Sequence, residues 1–518
     1  MKDLRGFLAE KVERNRDKPY LYFQDRAFTY GEVDRQCNRV ANAMLALGVK
    51  KGDHVALVLP NCPEWVFSWL GLAKIGAITV AVNPQLKADG LAYALQQSDA
   101  SLAIVHQEAL DEYDKAAPSL PNTTLVPFGL PSPQVACGNG RAEPTLAEML
   151  AGAPTDEPPD AGLSGKDDFI IGFTSGTTGR PKAVLNPHWA FIAAAVELAR
   201  VTELAPDDRI YVSLPLHHAN PQVYGVLTAL SADASIAVAS RFSASGFWDD
   251  VRRVGATAFT YVGAVLPILL AQPEKPCDAD HPVRKCFGGG APKDVSERMK
   301  RRFGVEVLEL YGMSETGTWN CINRPGRVRP GTTGELREGF DMRIFDDNDD
   351  ELPVGSVGEI VVRPSRPFLM FSGYYKMPEE TLASHANLWF HTGDLGSLDA
   401  QGYYSFCGRK KESIRRGGEN ITPYEIEKVV CAVPAVAEAA AVGVPDVILG
   451  EEIKLYVVCK TGQSISPGEI IAVCEEQLPK FMVPRYVEFI GQLPKTPSEK
   501  VEKGVLKARG VGQCWTRV

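Results

Sequence analysis

The stretch FTSGTTGRPK, residues 173–182, decides how the rest of this chain is interpreted. It follows a short apolar run, residues 169–173, that predicts a buried strand. Glycines allow the backbone to approach an anion closely, and hydroxyls with one lysine suit a polyphosphate. The candidate phosphate-binding residues are Thr174, Ser175, Gly176, Thr177, Thr178, Gly179 and Lys182. Their spacing excludes the G-x-x-x-x-G-K-[ST] loop, and a polar surface turn is the alternative.

The composition of the whole chain narrows the class of protein. A chain of 518 residues is too long for one ordinary core, so we expect two or more domains. A net charge of -9 argues against a nucleic-acid binder. The 11 cysteines form no C-x-x-C pair, which favours free thiols in a reducing cytoplasm. The charged N-terminus lacks the apolar core of a signal peptide, and no integral membrane segment is expected. We therefore expect a cytoplasmic protein.

Helices and short strands alternate along the first third of the chain. We expect helices at 29–47, 63–74 and 89–98 and strands at 55–59, 80–82 and 102–105. This β-α-β-α order predicts an α/β fold with a largely parallel sheet flanked by helices. Residues 118–165 are rich in Pro and Gly, and we expect them to form a long irregular connection.

A second motif, ELYGMSET, covers residues 309–316. An aromatic ring such as Tyr311 can stack on adenine. A carboxylate beside a hydroxyl, as in Glu315 and Thr316, can hold Mg²⁺ against phosphate oxygens. Taken alone, the motif could equally be a turn into the N-terminus of a helix. Its occurrence after the loop at residue 173 favours a nucleotide site.

Further motifs follow one another along the chain. They are LPLHHANP at 214–221, FGGGAP at 287–292, HTGDL at 391–395 and the basic, glycine-bearing stretch 408–420. Beyond them, helices beginning near residues 423 and 467 and strands at 436–444 and 453–459 predict a compact α+β unit. LPKTPSEKV, residues 493–501, lies near the end. Each motif alone is consistent with an ordinary turn or a solvated surface.

The ordered set of motifs resembles that of the adenylate-forming superfamily, which includes acyl- and aryl-CoA ligases, nonribosomal adenylation domains and firefly luciferase. The resemblance extends from about residue 30 to residue 507. It implies a large N-terminal domain of α/β layers with a β-rich part, residues 1–408, and a small mobile α+β domain, residues 409–518. The residues of two stretches, 61–86 and 414–427, resemble the sequences of crotonobetaine/carnitine-CoA ligases and of medium- or long-chain acyl-CoA ligases.

The resemblance also implies a role for individual residues. Lys500, Thr178, Lys182, Glu315 and His218 match catalytic positions, and Glu315 matches the magnesium ligand. Asp394 matches the ribose-binding aspartate, Arg409 the ribose or phosphate arginine, and Lys411 the hinge. Gly418 matches a glycine beside the thiol channel. The remaining nucleotide-binding positions are Gly290, Ala291, Pro292, Glu309, Leu310, Tyr311, Gly312, Met313 and Thr316, together with the loop residues. Two positions depart from the pattern, because Ala183 and Glu499 stand where the family usually has glycine.

The implied activity is ATP-dependent activation of a carboxylic acid to an acyl-AMP, followed by transfer to coenzyme A. ATP, Mg²⁺ and coenzyme A are the implied cofactors. One alternative is a stand-alone adenylation enzyme that loads a carrier-protein thiol. Another is a catalytically silent nucleotide-binding protein, which would be expected to lack Lys500, Glu315 or Asp394, and all three are present. The sequence identifies neither the acid nor the oligomeric state.

Overall fold

The computed structural model describes residues 1–130, 144–174, 181–416, 419–421, 423–447, 449–495 and 501–517. By the density of contacts among residues, the chain divides into two compact units. The first unit comprises Met1–Asp341 and Arg363–Ala386, and the second comprises Met342–Val362 and Asn387–Val518. The sequence-based boundary between residues 408 and 409 stays a prediction. No helix in the described ranges is long and apolar enough to cross a membrane.

The helices are given in chain order. They are α1 (Leu4–Asn15), α2 (Tyr30–Ala46), α3 (Pro63–Lys74), α4 (Ala88–Gln97), α5 (Leu110–Ala116), α6 (Leu146–Gly152), α7 (His188–Val201), α8 (Thr228–Ser231), α9 (Phe247–Val254), α10 (Val265–Leu270), α11 (Lys293–Phe303), α12 (Pro378–Ala383), α13 (Pro423–Cys431), α14 (Pro467–Gln477) and α15 (Lys503–Ala508). A π-helix covers Pro221–Leu227, and short 3₁₀ turns include Ser314–Thr316 and Lys410–Glu412.

The strands of the first half are β1 (Pro19–Phe23), β2 (Arg26–Thr29), β3 (His54–Val58), β4 (Ile78–Ala81), β5 (Leu102–His106), β6 (Thr124–Phe128), β7 (Asp168–Thr174), β8 (Lys182–Pro187), β9 (Arg209–Val212), β10 (Ser235–Val238), β11 (Ala258–Val262), β12 (Lys285–Gly289) and β13 (Glu306–Tyr311). Those of the second half are β14 (Cys321–Ile322), β15 (Gly334–Leu336), β16 (Phe340–Phe345), β17 (Gly358–Pro364), β18 (Gly373–Tyr374), β19 (His385–Ala386), β20 (Trp389–Leu398), β21 (Tyr403–Arg409), β22 (Ile414–Arg416), β23 (Glu419–Ile421), β24 (Val436–Asp446), β25 (Gly450–Cys459), β26 (Tyr486–Phe489) and β27 (Trp515–Thr516).

The first unit contains two large sheets. One has the order β18-β8-β7-β4-β3-β5-β6, parallel from β7 to β6 and antiparallel at β8 and β18. In the other, β1, β10, β9, β11, β12 and β13 run parallel in that spatial order. A common apolar core that includes Trp65, Phe169, Phe191 and Trp319 packs between their helices and strands. The predicted largely parallel sheet is confirmed.

Parallel strands place their carboxyl ends at one edge, which is where open α/β sheets bind ligands. The ends of β11, β12 and β13 are Val262, Gly289 and Tyr311. The register pairs Val262 with Gly289, and Gly288 with Glu309. Two of the motifs noted in the sequence, 287–292 and 309–316, therefore meet beside the end of β11 at one edge of this sheet.

In the second unit, β17, β20 and β21 are antiparallel neighbours, and a separate small sheet is present. In the small sheet β25 pairs with β24, β22 and β26. Helices α13 and α14 cover one face, where Ile426, Val430 and Ile470 pack against Leu455. Helix α15 contributes Leu506 to a second cluster with Tyr456. The predicted α/β class with a separate C-terminal α+β unit is confirmed.

Some helix boundaries follow from their capping residues. Helix α2 begins with the capping box in which Glu32 N donates to Thr29 Oγ1 at 3.1 Å and Thr29 N donates to Glu32 Oε2 at 2.8 Å. Helix α11 ends at Gly304, whose φ of 71° is left-handed. Thr422, the residue before α13, lies outside the described residues.

The expectation of an irregular connection over 118–165 is wrong in two places. Strand β6 pairs in parallel with β5, at the edge of the sheet. It contains Pro127, which an edge position tolerates because the missing N–H is not needed by a further strand. Helix α6 begins with a capping box of Thr145 and Glu148. That box is a sequence signal for a helix that the Pro- and Gly-rich surroundings concealed.

Candidate active site

The candidate phosphate loop connects two antiparallel strands. Phe173 pairs with Ala183 and Thr174 pairs with Lys182, so the ladder between β7 and β8 ends at the loop. The loop residues Ser175, Gly176, Thr177, Thr178 and Gly179 lie outside the described residues. Ala183 is buried in an extended strand and is not among the residues with positive φ. A glycine is therefore not required at position 183, because extended backbone accommodates a Cβ.

Lys182 and Glu315 meet the same side chain, that of Tyr374. The Lys182 ammonium lies 4.3 Å from the centroid of the Tyr374 ring. The Tyr374 hydroxyl donates to Glu315 Oε1 at 3.0 Å. Glu315 is buried, with only 3% of its surface exposed. The structure thus brings together the predicted phosphate lysine and the predicted metal carboxylate, and the tyrosine between them was missed in the sequence.

The chain from Tyr311 to Trp319 forms a tight turn. A Cβ on Gly312 would lie 2.3 Å from Trp319 Cα and 2.6 Å from Thr318 O, so only glycine fits there. The turn then passes through two left-handed residues, Gly317 with φ of 74° and Thr318 with φ of 76°. A β-branched residue in that region is a genuine outlier and costs free energy. Such strain persists only where the surroundings hold the backbone in place.

Two buried side chains hold this turn. The Tyr224 hydroxyl, on the π-helix, donates to Thr318 O at 2.6 Å. The Arg337 guanidinium donates to Gly317 O at 3.0 Å and to Trp319 O at 3.2 Å. Arg337 also lies over the rings of Trp319 and Phe340, and burial lowers its pKa to about 10. Neither residue belongs to a motif, so the sequence offered no signal for either of them.

At this turn and the strand before it, the buried residues among those predicted to contact nucleotide are Leu310, Tyr311 and Thr316. The Thr316 hydroxyl donates to Asn320 Oδ1 at 2.5 Å and accepts from Met313 N at 3.3 Å. The turn is therefore organised by its own polar groups. The predicted role of Thr316 at the nucleotide phosphates stays a prediction.

Glu309 connects the ends of three neighbouring strands. Its carboxylate accepts from Gly290 N at 2.6 Å, from Ala291 N at 2.8 Å and from the Tyr261 hydroxyl. Burial raises the pKa of Glu309 to about 7, while the three hydrogen bonds oppose that rise. Pro292, the next residue, is exposed and lies directly before α11. Glu309 thus fixes the backbone of the segment against which a nucleotide would pack.

The histidine pair lies on a turn after β9. His218 is exposed and its N donates to Pro215 O at 3.0 Å. The rings of His217 and His218 lie 4.2 Å apart. Burial and the neighbouring His218 hold the pKa of His217 well below its usual range. Asn220 then donates to Tyr261 O at 3.1 Å, which ties this turn to the end of β11.

In the second unit, Asp394 and Arg409 are directly paired across β20 and β21. Arg409 Nε lies 3.7 Å from Asp394 Oδ1. Lys411 lies in the 3₁₀ turn after β21, next to Lys410, which pairs with Glu359 at 2.8 Å. Gly418 and Lys500 lie outside the described residues. Lys495 and Val501, which flank the segment containing Lys500, form a β-bridge with each other.

The residues of the first unit fit a magnesium ion in one specific way. No three His, Cys, Asp or Glu side chains cluster into a metal site within the described ranges. Magnesium usually takes one or two carboxylates and completes its octahedron with water and substrate phosphates. Glu315 supplies such a carboxylate, and its Oε1 accepts a hydrogen bond from the Tyr374 hydroxyl. One protein carboxylate fits a magnesium ion whose other ligands would be polyphosphate oxygens and water.

Comparisons with known proteins give matches along most of the chain. The family model described as AMP-binding enzyme matches residues 8–375, and its C-terminal domain model matches residues 425–500. The crotonobetaine/carnitine–CoA ligase of Salmonella paratyphi C is 34% identical over 504 residues, covering 95% of this chain and 96% of that protein.

Solved structures of the same kind superpose on nearly the whole chain. The anthranilate CoA ligase AuaEII, in complex with anthranoyl-AMP, has a TM-score of 0.89 at 27% identity, covering 98% of this chain and 97% of that one. ATP-bound MatB from Rhodopseudomonas palustris has a TM-score of 0.88 at 28% identity, covering 98% and 99%. This chain therefore belongs to the AMP-binding enzyme family, the adenylate-forming superfamily that its motifs had indicated.

Proposed function

We propose that this protein is an acid–thiol ligase that converts a small-molecule carboxylic acid, ATP and coenzyme A into an acyl-CoA, AMP and pyrophosphate. The family and the CoA ligases among its relatives support this activity. The observation that carries it in the molecule is the meeting of Lys182 and Glu315 at Tyr374. A lysine at a glycine-rich loop and a buried carboxylate are the two groups that bind MgATP.

In the first half-reaction, a carboxylate oxygen of the acid attacks the α-phosphorus of ATP. The bond from that phosphorus to the bridging oxygen breaks and pyrophosphate leaves. Lys182 would bind the phosphates and Glu315 would hold the magnesium ion, which would supply positive charge to the phosphate oxygens. Tyr311 stacks on adenine and Asp394 accepts hydrogen bonds from the ribose hydroxyls. Lys500 stabilises charge that develops on the reacting oxygens.

In the second half-reaction, the sulfur of coenzyme A attacks the acyl carbonyl carbon. The carbon–oxygen bond to AMP breaks, AMP leaves and the thiol gives up its proton. The resemblance implies that the C-terminal domain rotates about Lys411 between the two steps and that Gly418 borders the thiol channel. We place this chemistry in the cytoplasm, where ATP and coenzyme A are available and thiols stay reduced.

The experiment is a panel of carboxylic acids with ATP and Mg²⁺, with pyrophosphate release read with and without coenzyme A. The panel includes crotonobetaine, carnitine and anthranilate, because CoA ligases named for these acids are among the relatives. We expect acid-dependent formation of AMP and pyrophosphate, and a thioester only when coenzyme A is present. Formation of ADP and phosphate would overturn the proposal. Adenylation without transfer to coenzyme A would favour a carrier-protein thiol, and ATP binding without any turnover would favour the silent protein.

Lys500→Ala tests the assignment of the catalytic lysine. We expect acyl-AMP formation to fall by about 10²–10³ because one strong donor to the transition state is lost. Thioester formation from supplied acyl-AMP should be largely retained. Lys480→Ala, at an exposed lysine of the same unit, is the control. Equal losses in both half-reactions, or adenylation at the wild-type rate, would remove Lys500 from this role.

A further inference from the structure

Tyr374 is the side chain that joins the two groups through which MgATP would be bound. Its ring lies 4.3 Å from the Lys182 ammonium, and its hydroxyl donates to Glu315 Oε1 at 3.0 Å. Tyr374 has 8% of its surface exposed, and Glu315 has 3%. No motif in the sequence pointed to Tyr374. Its position between a cation and an anion of the site calls for an explanation beyond packing.

The register of the strands puts Tyr374 there. Strand β18 pairs antiparallel with β8, and Tyr374 lies opposite Val184. Side chains alternate between the faces of a strand, so Lys182 and Val184 share a face with Tyr374. Lys182 is the diagonal neighbour of Tyr374, within reach of an aromatic ring. The loop lysine and the tyrosine are thus brought together by the ladder at the edge of the sheet.

The segment that carries Tyr374 is fixed at several points. Phe371 N donates to Glu315 O at 3.0 Å, and Ser372 N donates to Leu185 O at 2.8 Å. Tyr374 N donates to Thr381 Oγ1 at 2.9 Å. The same short segment therefore contacts the backbone of Glu315, the strand that follows Lys182, and helix α12. A side chain on it has a defined position relative to both charged groups.

Each contact of Tyr374 acts on one of its charged neighbours. A hydroxyl that donates to one carboxylate oxygen orients the carboxylate, as hydrogen-bond partners of metal ligands do. The ring face attracts the ammonium and restricts where it can lie. A tyrosine hydroxyl is protonated at neutral pH, since the ordinary pKa of a phenol is about 10. The donor role is therefore not lost by ionisation.

We propose that Tyr374 is a positioning residue that orients Glu315 for the metal ion through its hydroxyl and Lys182 for the phosphates through its ring. This inference rests on the proposed function, because it takes MgATP as the ligand. Tyr374 touches neither the acid nor the reacting atoms in this account. Its effect is on how metal and phosphate are held, and the two contacts can be removed separately.

Tyr374→Phe removes the hydroxyl and keeps the ring, whereas Tyr374→Leu removes both. Tyr375→Phe is the matched control, since its hydroxyl donates to the Asp99 carboxylate at 2.9 Å on the surface side of the same segment. Binding of ATP is measured by titration calorimetry without any acid, once with EDTA and once with Mn²⁺. The electron paramagnetic resonance signal of Mn²⁺ reports the metal directly.

For Tyr374→Phe we expect metal affinity in the ATP complex to fall about 10-fold or more, as loss of such an outer partner typically does. ATP binding in EDTA should stay unchanged, because the ring still holds Lys182. Tyr374→Leu should weaken ATP binding in EDTA as well. Tyr375→Phe should match the wild type. With an active acid from the panel, the apparent KM for Mg²⁺ should rise in Tyr374→Phe while the KM for the acid stays constant.

A double substitution tests whether Tyr374 acts through Glu315. In a Glu315→Gln background, Tyr374→Phe should have no further effect on Mn²⁺ affinity. An additional loss there, or unchanged Mn²⁺ affinity in the single Tyr374→Phe variant, would overturn the inference. If Tyr374→Phe did not fold, Tyr374 would be a structural residue and the inference would fail. Wild-type protein that binds Mn²⁺ and ATP but activates no acid would overturn the proposed function and leave this inference standing.

Discussion

At the scale of single residues, Glu309 is a carboxylate whose ionisation is coupled to stability. It accepts hydrogen bonds from Gly290 N, Ala291 N and the Tyr261 hydroxyl. Burial nevertheless raises its pKa from 4.5 to about 7. A folded state with the higher pKa binds more protons than the unfolded chain between these values. Its contribution to stability is therefore complete below pH 4.5 and is lost as the pH rises through 7.

Glu309→Gln should remove this pH dependence. The side chain stays the same size but no longer ionises, so the slope of unfolding free energy against pH should become flatter between pH 4.5 and 7. The effect is at most about 3.5 kcal/mol, because the pKa rises from 4.5 to about 7 and each tenfold change in proton affinity corresponds to about 1.4 kcal/mol. Denaturant titrations at a series of pH values measure it. A variant with the wild-type slope would contradict the coupling.

Gly312 is required by a close approach of two backbone segments. Gly312→Ala would bring a Cβ to 2.3 Å from Trp319 Cα, which no side-chain rotation can relieve. We expect a loss of about 1–3 kcal/mol in unfolding free energy and weaker ATP binding, because the turn must shift. Thermal unfolding and ATP titration are the measurements.

Gly152→Ala is the control for that substitution, since nothing lies within 4 Å of a Cβ built there, at the end of α6. It should not lower the free energy of unfolding, because alanine favours a helix over glycine, and it should leave ATP binding at the wild-type value. Equal behaviour of the two alanine variants would show that the turn at Gly312 is not close-packed.

At the scale of elements, the turn 311–319 depends on parts of the chain far away in sequence. The π-helix contributes Tyr224 and the end of β15 is followed by Arg337, and both bind carbonyls of the left-handed residues or their neighbour. π-Helices are rare in proteins, and those that occur are often found at functional sites. Here it places the Tyr224 hydroxyl against Thr318, so the strain of the turn is balanced by hydrogen bonds from elsewhere in the unit.

Tyr224→Phe should therefore impair ligand binding as well as stability. Loss of the hydroxyl leaves a buried carbonyl without this donor and should cost about 1–3 kcal/mol. Tyr30→Phe is a matched control, because its buried hydroxyl donates to Ala234 O at the same 2.6 Å, away from the turn. Both variants should lose similar stability by thermal unfolding, but only Tyr224→Phe should raise the KM for ATP. Parallel changes in KM would argue against a role of the π-helix at the site.

Sequence patterns predicted elements well where each pattern was strong and local. Helix α3 has the predicted bounds, and α2 and α4 differ from prediction by about one residue at their ends. Strand β6 and helix α6 were missed, because Pro127 and the surrounding Pro and Gly residues are signals for irregular structure. An edge strand and a short capped helix can accommodate such residues. Whether they do so depends on the segments that pack against them in the tertiary structure.

At the scale of the whole molecule, Lys411 tests whether the two half-reactions need different arrangements of the chain. Proline fixes φ near -65°, so Lys411→Pro should restrict rotation at the predicted hinge. We expect adenylation to continue if the restricted arrangement is the one with Lys500 at the site, and thioester formation to be lost. Stopped-flow measurement of each half-reaction provides the comparison.

Lys411→Ala is the control for the hinge substitution, because it removes the side chain and leaves φ free. Both half-reactions should continue in this variant, and circular dichroism checks folding of both proteins. Equal damage to the two half-reactions in Lys411→Pro, or no damage to either, would remove the case for alternation of domains.

The sequence by itself determined the family, the order of motifs and the residue types at the site. The family and the site residues can be recognised in short stretches such as 173–182 and 309–316, because the functional residues of each motif follow one another directly in the sequence. The same reasoning predicted that Asp394 and Arg409 serve one site, and the structure pairs them across β20 and β21. Their role toward ribose remains a prediction.

Only the tertiary structure decided which further side chains support those motifs. Tyr374, Tyr224 and Arg337 are separated from the residues they hold by 18 to 192 positions, and each occurs in an unremarkable stretch of sequence. Their contacts depend on strand register, on a π-helix and on burial, which are properties of distant segments packed together. A sequence pattern predicts local structure and chemistry from residues that are adjacent in the chain. Hydrogen bonds between distant segments depend on how those segments pack in the tertiary structure.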